Sequence, residues 1–144
     1  MNISAILRRK GTHVETAIVQ TTAVEAAERM HSKAIGSLVI VDLRGDLIGV
    51  LSERDLVRAM AEQPSSLDSL RVGDLIGQRP VTCKADDSLQ HVMGLMSRKR
   101  TRHLPVLAGD ALIGLVSIGD VVKSQLEDLE LEVGVLRDYA RVHR

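Results

Sequence analysis

The chain has 144 residues, enough for one domain or for two small units sharing a core. Its apolar residues, 44% of the total, are aliphatic almost throughout, with one Tyr and no Phe or Trp, which suits strands covered by helices. Lys plus Arg balances Asp plus Glu at 19 each, so no global field draws the chain to nucleic acid or membrane, and the single Cys83 excludes an intrachain disulfide.

From the start of the chain, Met1 to Lys10 holds no apolar run of signal-peptide length, and Ile3, Ile6 and Leu7 form the apolar stripe of a lead-in helix. A short strand is expected around Glu15 to Ile18. Thr22, with Glu25 three residues on, opens a helix whose inner face is Ala23, Ala26, Ala27 and Met30. A buried strand at Leu38 to Val41, a turn at Arg44-Gly45-Asp46 and a second strand at Leu47 to Leu51 follow, and Ser52 starts another helix. The polar, turn-rich stretch Glu62 to Ser69 reads as a linker.

Beyond it the same order returns. Val72, Leu75 and Ile76 repeat the spacing of Ile3, Ile6 and Leu7, and a short strand is expected at Val81 to Lys84. Ser88 opens a helix through Leu89, Val92, Met93 and Met96, and strands at Leu104 to Leu107 and Leu112 to Val116 flank a turn at Gly109-Asp110. Residues 47–57 read LIGVLSERDLV and residues 112–122 read LIGLVSIGDVV, so that Gly49, Ser52 and Asp55 recur 65 residues on as Gly114, Ser117 and Asp120. Met30 and Leu38 to Val41 recur 66 residues on, the difference being one residue lost in the turn between two strands.

The organisation is therefore a first repeat at 1–62 with the lead-in helix, a linker at 63–71, a second repeat at 72–124 and a C-terminal helix extension at 125–144. The expected class is α/β (α+β), two β-α-β-β-α repeats. A repeat of this size buries too little apolar surface to be stable alone. Packing the two copies sheet to sheet about a pseudo-twofold axis solves this and leaves two equivalent clefts. In the extension, Val122, Leu126, Leu129, Val133, Leu136 and Ala140 are spaced 4, 3, 4, 3, 4, a heptad seam that packs on its own domain or on a second chain.

Two patterns carry chemistry. Ser52-x-x-Asp55 and Ser117-x-x-Asp120 each follow a strand and open a helix, where free amides and the helix dipole favour an anion. A carboxylate one turn in can accept both hydroxyls of a ribose. The same pattern is also a helix capping box, although Asp reaches back less well than Glu. The basic run Arg98-Lys99-Arg100-Thr101-Arg102-His103 is either a solvated helix end, for Arg98 to Arg100, or a phosphate contact, for Arg102 and His103, which lead into the buried strand. Arg54 has no counterpart, since Gly119 stands at its position, and it either charges the first cleft or is simply exposed.

Catalysis finds no support. His13, His31, His91, His103 and His143 are scattered, and no metal-ligand spacing is present. Asp86-Asp87 complements the helix opened by Ser88. Cys83 reads as a packed core thiol, which fits a reducing, cytoplasmic setting.

The segments Gly49-Val50-Leu51-Ser52-Glu53-Arg54-Asp55 and Gly114-Leu115-Val116-Ser117-Ile118-Gly119-Asp120, with Arg102-His103-Leu104-Pro105-Val106, resemble a tandem pair of cystathionine-β-synthase (CBS) domains, a Bateman module. The resemblance covers roughly residues 10 to 124. It implies a regulatory sensor that is not an enzyme, holding AMP, ADP, ATP or NAD in its clefts, S-adenosylmethionine less so. It also implies a homodimer acting on a target protein that the sequence does not name. Ser52 and Asp55, with Ser117 and Asp120, would bind the nucleotide, the two aspartates holding ribose. Ile35, Gly36 and Ser37, with His103 to Pro105, would line the adenine slot opposite Gly11-Thr12 and Arg79-Pro80. In the gamma subunit of AMP-activated protein kinase a basic pair at the position of Arg102 and His103 touches phosphate. The first repeat has Gly36 and Ser37 there, so the second-repeat site is expected to bind phosphate more strongly. Two other classes remain open, a scaffold or dimerisation domain without ligand, and a nucleic-acid-binding regulator working through Arg98 to Arg102. Against the latter, no aromatic residue stands near to stack a base.

Overall fold

Helix α1 (Ile3–Lys10) is capped by Asn2, whose side chain accepts the amide of Ala5, and it buries Ile3, Ile6 and Leu7. The structure is a computed structural model that describes residues 1–77 and 79–143. Strand β1 (Thr16–Ala17) runs parallel to β2 (Ser37–Val41), and β2 is antiparallel to β3 (Leu47–Ser52), giving a three-stranded sheet. Between them lies α2 (Ala23–Lys33), where the Thr22 hydroxyl accepts the amide of Glu25. Helix α3 (Glu53–Glu62) closes the first repeat.

The second repeat follows the same plan. A single-turn α4 (Val72–Leu75) precedes α5 (Leu89–Lys99), antiparallel strands β4 (His103–Ala108) and β5 (Ala111–Ser117), and α6 (Ile118–Val142). The symmetry extends to the backbone. Both α2 and α5 end on a non-glycine residue in the left-handed region, Ala34 (φ 53°) and Arg100 (φ 51°), and the turns use Gly45 and Gly109 with positive φ.

One expectation is corrected, and the linker and the C-terminal helix gain detail. The strand foreseen at Val81 to Lys84 is reduced to one parallel bridge, Cys83 to Val106, the equivalent of Ala17 to Ile40 in the first repeat. The linker carries a 3-10 helix (Pro64–Ser69), and it ends on buried Leu70, whose carbonyl accepts the amide of Ala23. The C-terminal helix extension is the continuation of α6, and its last residue, Arg144, lies outside the described residues.

Each repeat has its own core, and the lead-in helices are exchanged between them. Ile3, Ile6 and Leu7 pack with Leu104, Val106 and Val116 of the second repeat, whereas Val72 and Leu75 pack with Leu38, Ile40 and Leu51 of the first. The backbone follows the packing. Ile3 and Ser4 amides donate to the carbonyls of Asp87 and Ala85, and Val72 and Gly73 amides donate to those of Thr21 and Val19. Ile6 is 1% exposed, so truncating it to Ala removes about 2–5 kcal/mol from the core of the repeat that lies farther along the chain. The two repeats, each a small sheet with its helices, are arranged as the expected pseudo-twofold pair.

Candidate functional site

Ser52 and Ser117 cap α3 and α6, and both capping boxes are fully formed. The Asp55 amide donates to Ser52 Oγ at 3.3 Å, and the Ser52 amide donates back to Asp55 Oδ2 at 2.8 Å. In the second repeat the Asp120 amide donates to Ser117 Oγ at 3.1 Å and the Ser117 amide to Asp120 Oδ2 at 2.9 Å. The idea that Asp reaches back poorly is therefore wrong here. Capping still consumes only one oxygen of each carboxylate. Asp55 Oδ1 is turned outward and takes a 2.7 Å hydrogen bond from Arg58 Nη2.

Around Asp55 lies a cavity of about 350 Å³, lined by Val50, Asp55 and Arg58 of the first repeat and by Ile76, Gly77, Pro80, Val81, Thr101 and His103. That volume is within the range of small-ligand sites. The sequence grouped His103 with Asp120, but its ring lines the cavity that holds Asp55. A β-carbon at Gly36 would stand 3.5 Å from His103 Cε1 and 3.2 Å from Glu53 Oε1. Burial pushes the His103 imidazole below the usual histidine value, and the positive charge of Lys10 and Arg102 adds to this against Glu53 and Asp120. A phosphate beside the ring would restore the charged form.

Other candidates separate. Arg54 is exposed and lines no part of the cavity, so the cation of the first cleft is Arg58, one turn further along the same helix face. The signal for it was its position three residues beyond Asp55. Arg102 is exposed, and its carbonyl accepts the Ile118 amide at the start of α6, just as the Gly36 carbonyl accepts that of Glu53. Ser37 and Pro105 are buried within their strands, and Ile35 is half-buried. Arg98 and Lys99 occupy the last turn of α5, where they complement its dipole.

In the second repeat Asp120 meets a residue that the sequence did not single out. Lys10, at the end of α1, donates to Asp120 Oδ2 at 2.7 Å and to the Leu115 carbonyl at 3.0 Å. Partial burial raises the Asp120 carboxyl, but Lys10 and the Ser117 amide outweigh it and hold it below the usual aspartate value. A larger cavity, about 680 Å³, lies elsewhere, between residues 82–87, His91 and residues 107–109, and contains neither capping carboxylate. Its Cys83 is buried, and desolvation with the charge of Asp87 pushes the thiol up to about 12, so it stays protonated at neutral pH. Among the described residues no group of three or more His, Cys, Asp or Glu stands where it could hold a metal ion, and no helix is long and apolar enough to cross a membrane.

The pattern of the CBS domain matches residues 6–62 and again residues 72–127. The mitochondrial CBS domain-containing protein CBSX3 of Arabidopsis thaliana is 30% identical over 145 aligned residues, covering 95% of this chain and 70% of the relative. Among solved structures, a CBS-domain containing protein from Agrobacterium tumefaciens superposes with a TM-score of 0.84 at 34% identity, covering 87% of this chain and 99% of that one. A structure of CBSX2 in complex with AMP superposes with a TM-score of 0.72 at 27% identity, covering 88% and 96%.

Proposed function

Because the chain belongs to the CBS-domain family and carries two such domains in tandem, we propose that it is a regulatory module that binds adenine nucleotides between its repeats and performs no catalysis. The observation that carries the reading is the cavity across the repeat boundary, where a carboxylate at a helix N-terminus faces a basic side and an imidazole. Ribose hydroxyls would go to Asp55 Oδ1, displacing Arg58 toward the phosphate. The base would rest on Val50, Ile76 and Pro80, and His103 with Arg102 at the rim would complete the phosphate contacts. AMP fits best among AMP, ADP, ATP and NAD, since AMP is the ligand named with CBSX2.

The module acts as a homodimer on a partner protein. On α6 the seam residues Leu126, Leu129, Val133 and Leu136 are 46–67% exposed, and a second copy of the helix would cover them. Glu132 and Arg137 flank that seam five residues apart, the spacing that pairs opposite charges across two parallel helices. The reduced, buried Cys83 suits a cytoplasmic setting.

Calorimetric titration tests the binding reading. Asp55→Ala and Asp120→Ala each remove a charged acceptor worth roughly 1.5–3 kcal/mol, so each should weaken AMP about ten- to a hundredfold at its own cleft. If both variants stay folded and bind AMP like the wild type, the Ser-x-x-Asp motifs are helix caps and nothing more.

A further inference from the structure

Val121 and Ser124 are fully buried and fix the face on which α6 packs, and Arg9 holds Glu127 one turn beyond Val121. The apolar character of that face does not end with the body. From Ser124 it continues at intervals of 4, 3, 4, 3 and 4 through Asp128, Leu131, Val135, Asp138 and Val142. Leu131, Val135 and Val142 are 68%, 61% and 78% exposed.

This second stripe is distinct from the dimer seam. Leu131 stands two residues after Leu129, Val135 two after Val133 and Val142 two after Ala140, which is about 200° round the helix. A second copy seated on the seam therefore leaves the stripe open. The stripe is also unsuited to a copy of itself. Packed in parallel, two such stripes oppose Asp128 to Asp128 and Asp138 to Asp138. Packed antiparallel, with Leu131 opposite Val135, they oppose Asp128 to Asp138, so like charges meet either way. Opposite charge is what fits. Asp128 already lies 4.0 Å from the Met1 amino group, whereas among the described residues no cation pairs with Asp138 or with Glu132 beside the stripe.

We propose that this stripe docks a basic amphipathic helix of a partner protein, whose apolar residues lie on Leu131, Val135 and Val142 while its Lys or Arg side chains meet Glu132 and Asp138. A helix is the matching shape, because spacings of 3 and 4 mesh with the same spacings on another helix, and the backbone of α6 is engaged in its own hydrogen bonds. From Leu131 to Val142 the stripe spans about 16 Å, or three turns. A helix end of this length is marginal in water without packing, so the partner also holds it in shape. The inference rests on the reading above only in that the module acts on a partner protein.

The test is fluorescence anisotropy of the full chain with a labelled three-heptad helical peptide that carries Leu at its a and d positions and Lys at e and g, against the same peptide with Glu in place of Lys. The wild type should bind the Lys peptide and not the Glu peptide. Leu131→Gln combined with Val135→Gln should weaken the Lys peptide about tenfold or more while leaving the sedimenting species unchanged. Asp138→Lys should weaken it severalfold by charge alone, and circular-dichroism melting reports that each variant is folded. A wild type that binds neither peptide, or variants that bind the Lys peptide as the wild type does, overturn the inference. A double variant that sediments as a smaller species overturns it too, because the stripe is then a contact between copies. A monomeric wild type whose Lys-peptide binding is lost in the double variant refutes the dimer and leaves this inference standing.

Discussion

A β-carbon on Gly114 would stand 2.7 Å from Leu7 Cδ2, and one on Gly49 would stand 3.1 Å from Ile76 Cδ1. The repeated motif glycines are therefore seats for the lead-in segments, which press an aliphatic side chain onto the strand at the one residue without a side chain. Gly114→Ala should destabilise the protein by about 1–3 kcal/mol through overpacking, read as a lower midpoint in urea unfolding. Gly49→Ala should cost less, because the 3.1 Å approach needs a shift of only a few tenths of an ångström. A Gly114→Ala variant as stable as the wild type would show that Leu7 is not fixed in that seat. At this scale the sequence disclosed the glycine, the serine and the aspartate of each motif, because all three recur in register. It pointed to Arg54 instead of Arg58, because adjacency in sequence drew attention where helical spacing should have. Lys10 was out of reach, since its partner lies 110 residues away in the chain.

Among the elements, α6 is left without a full set of neighbours. Its first turns are anchored by Val121 and Ser124, both fully buried, and by the contacts of Arg9 with Ser124 and Glu127, whereas the apolar residues beyond face solvent. Replacing Leu129 and Leu136 with Lys should leave the fold intact and shift the species seen in sedimentation toward monomer. A wild type already monomeric at high concentration would refute the dimer. The heptad seam was legible because 4, 3 spacing survives in any context. Which core α1 enters was not, because Ile3-Ile6-Leu7 and Val72-Leu75-Ile76 are alike in spacing and fit either repeat. The side-chain packing and the backbone bonds from Ile3 and Ser4 to residues 87 and 85 decide it. The strand at Val81 to Lys84 has the right residue types, but it holds its partner through Cys83 and Val106 alone as a ladder bridge.

For the whole molecule, the exchange of α1 and α4 means that neither repeat is complete on its own. Each sheet depends on a segment that precedes the other in sequence, so the two halves should unfold together. A ligand that touches Asp55 and Arg58 on one side and Thr101 and His103 on the other adds to that mutual dependence. Binding to the folded state alone stabilises it by mass action, by about 2.7 kcal/mol when the free ligand is at one hundred times its dissociation constant. For a chain of this length such an increment raises the melting temperature by several degrees. The most direct measurement is thermal unfolding of the wild type with and without millimolar AMP, ATP and NAD. A single transition that moves up by several degrees with at least one of them is the predicted result, and a melting curve that none of them moves would contradict the central claim.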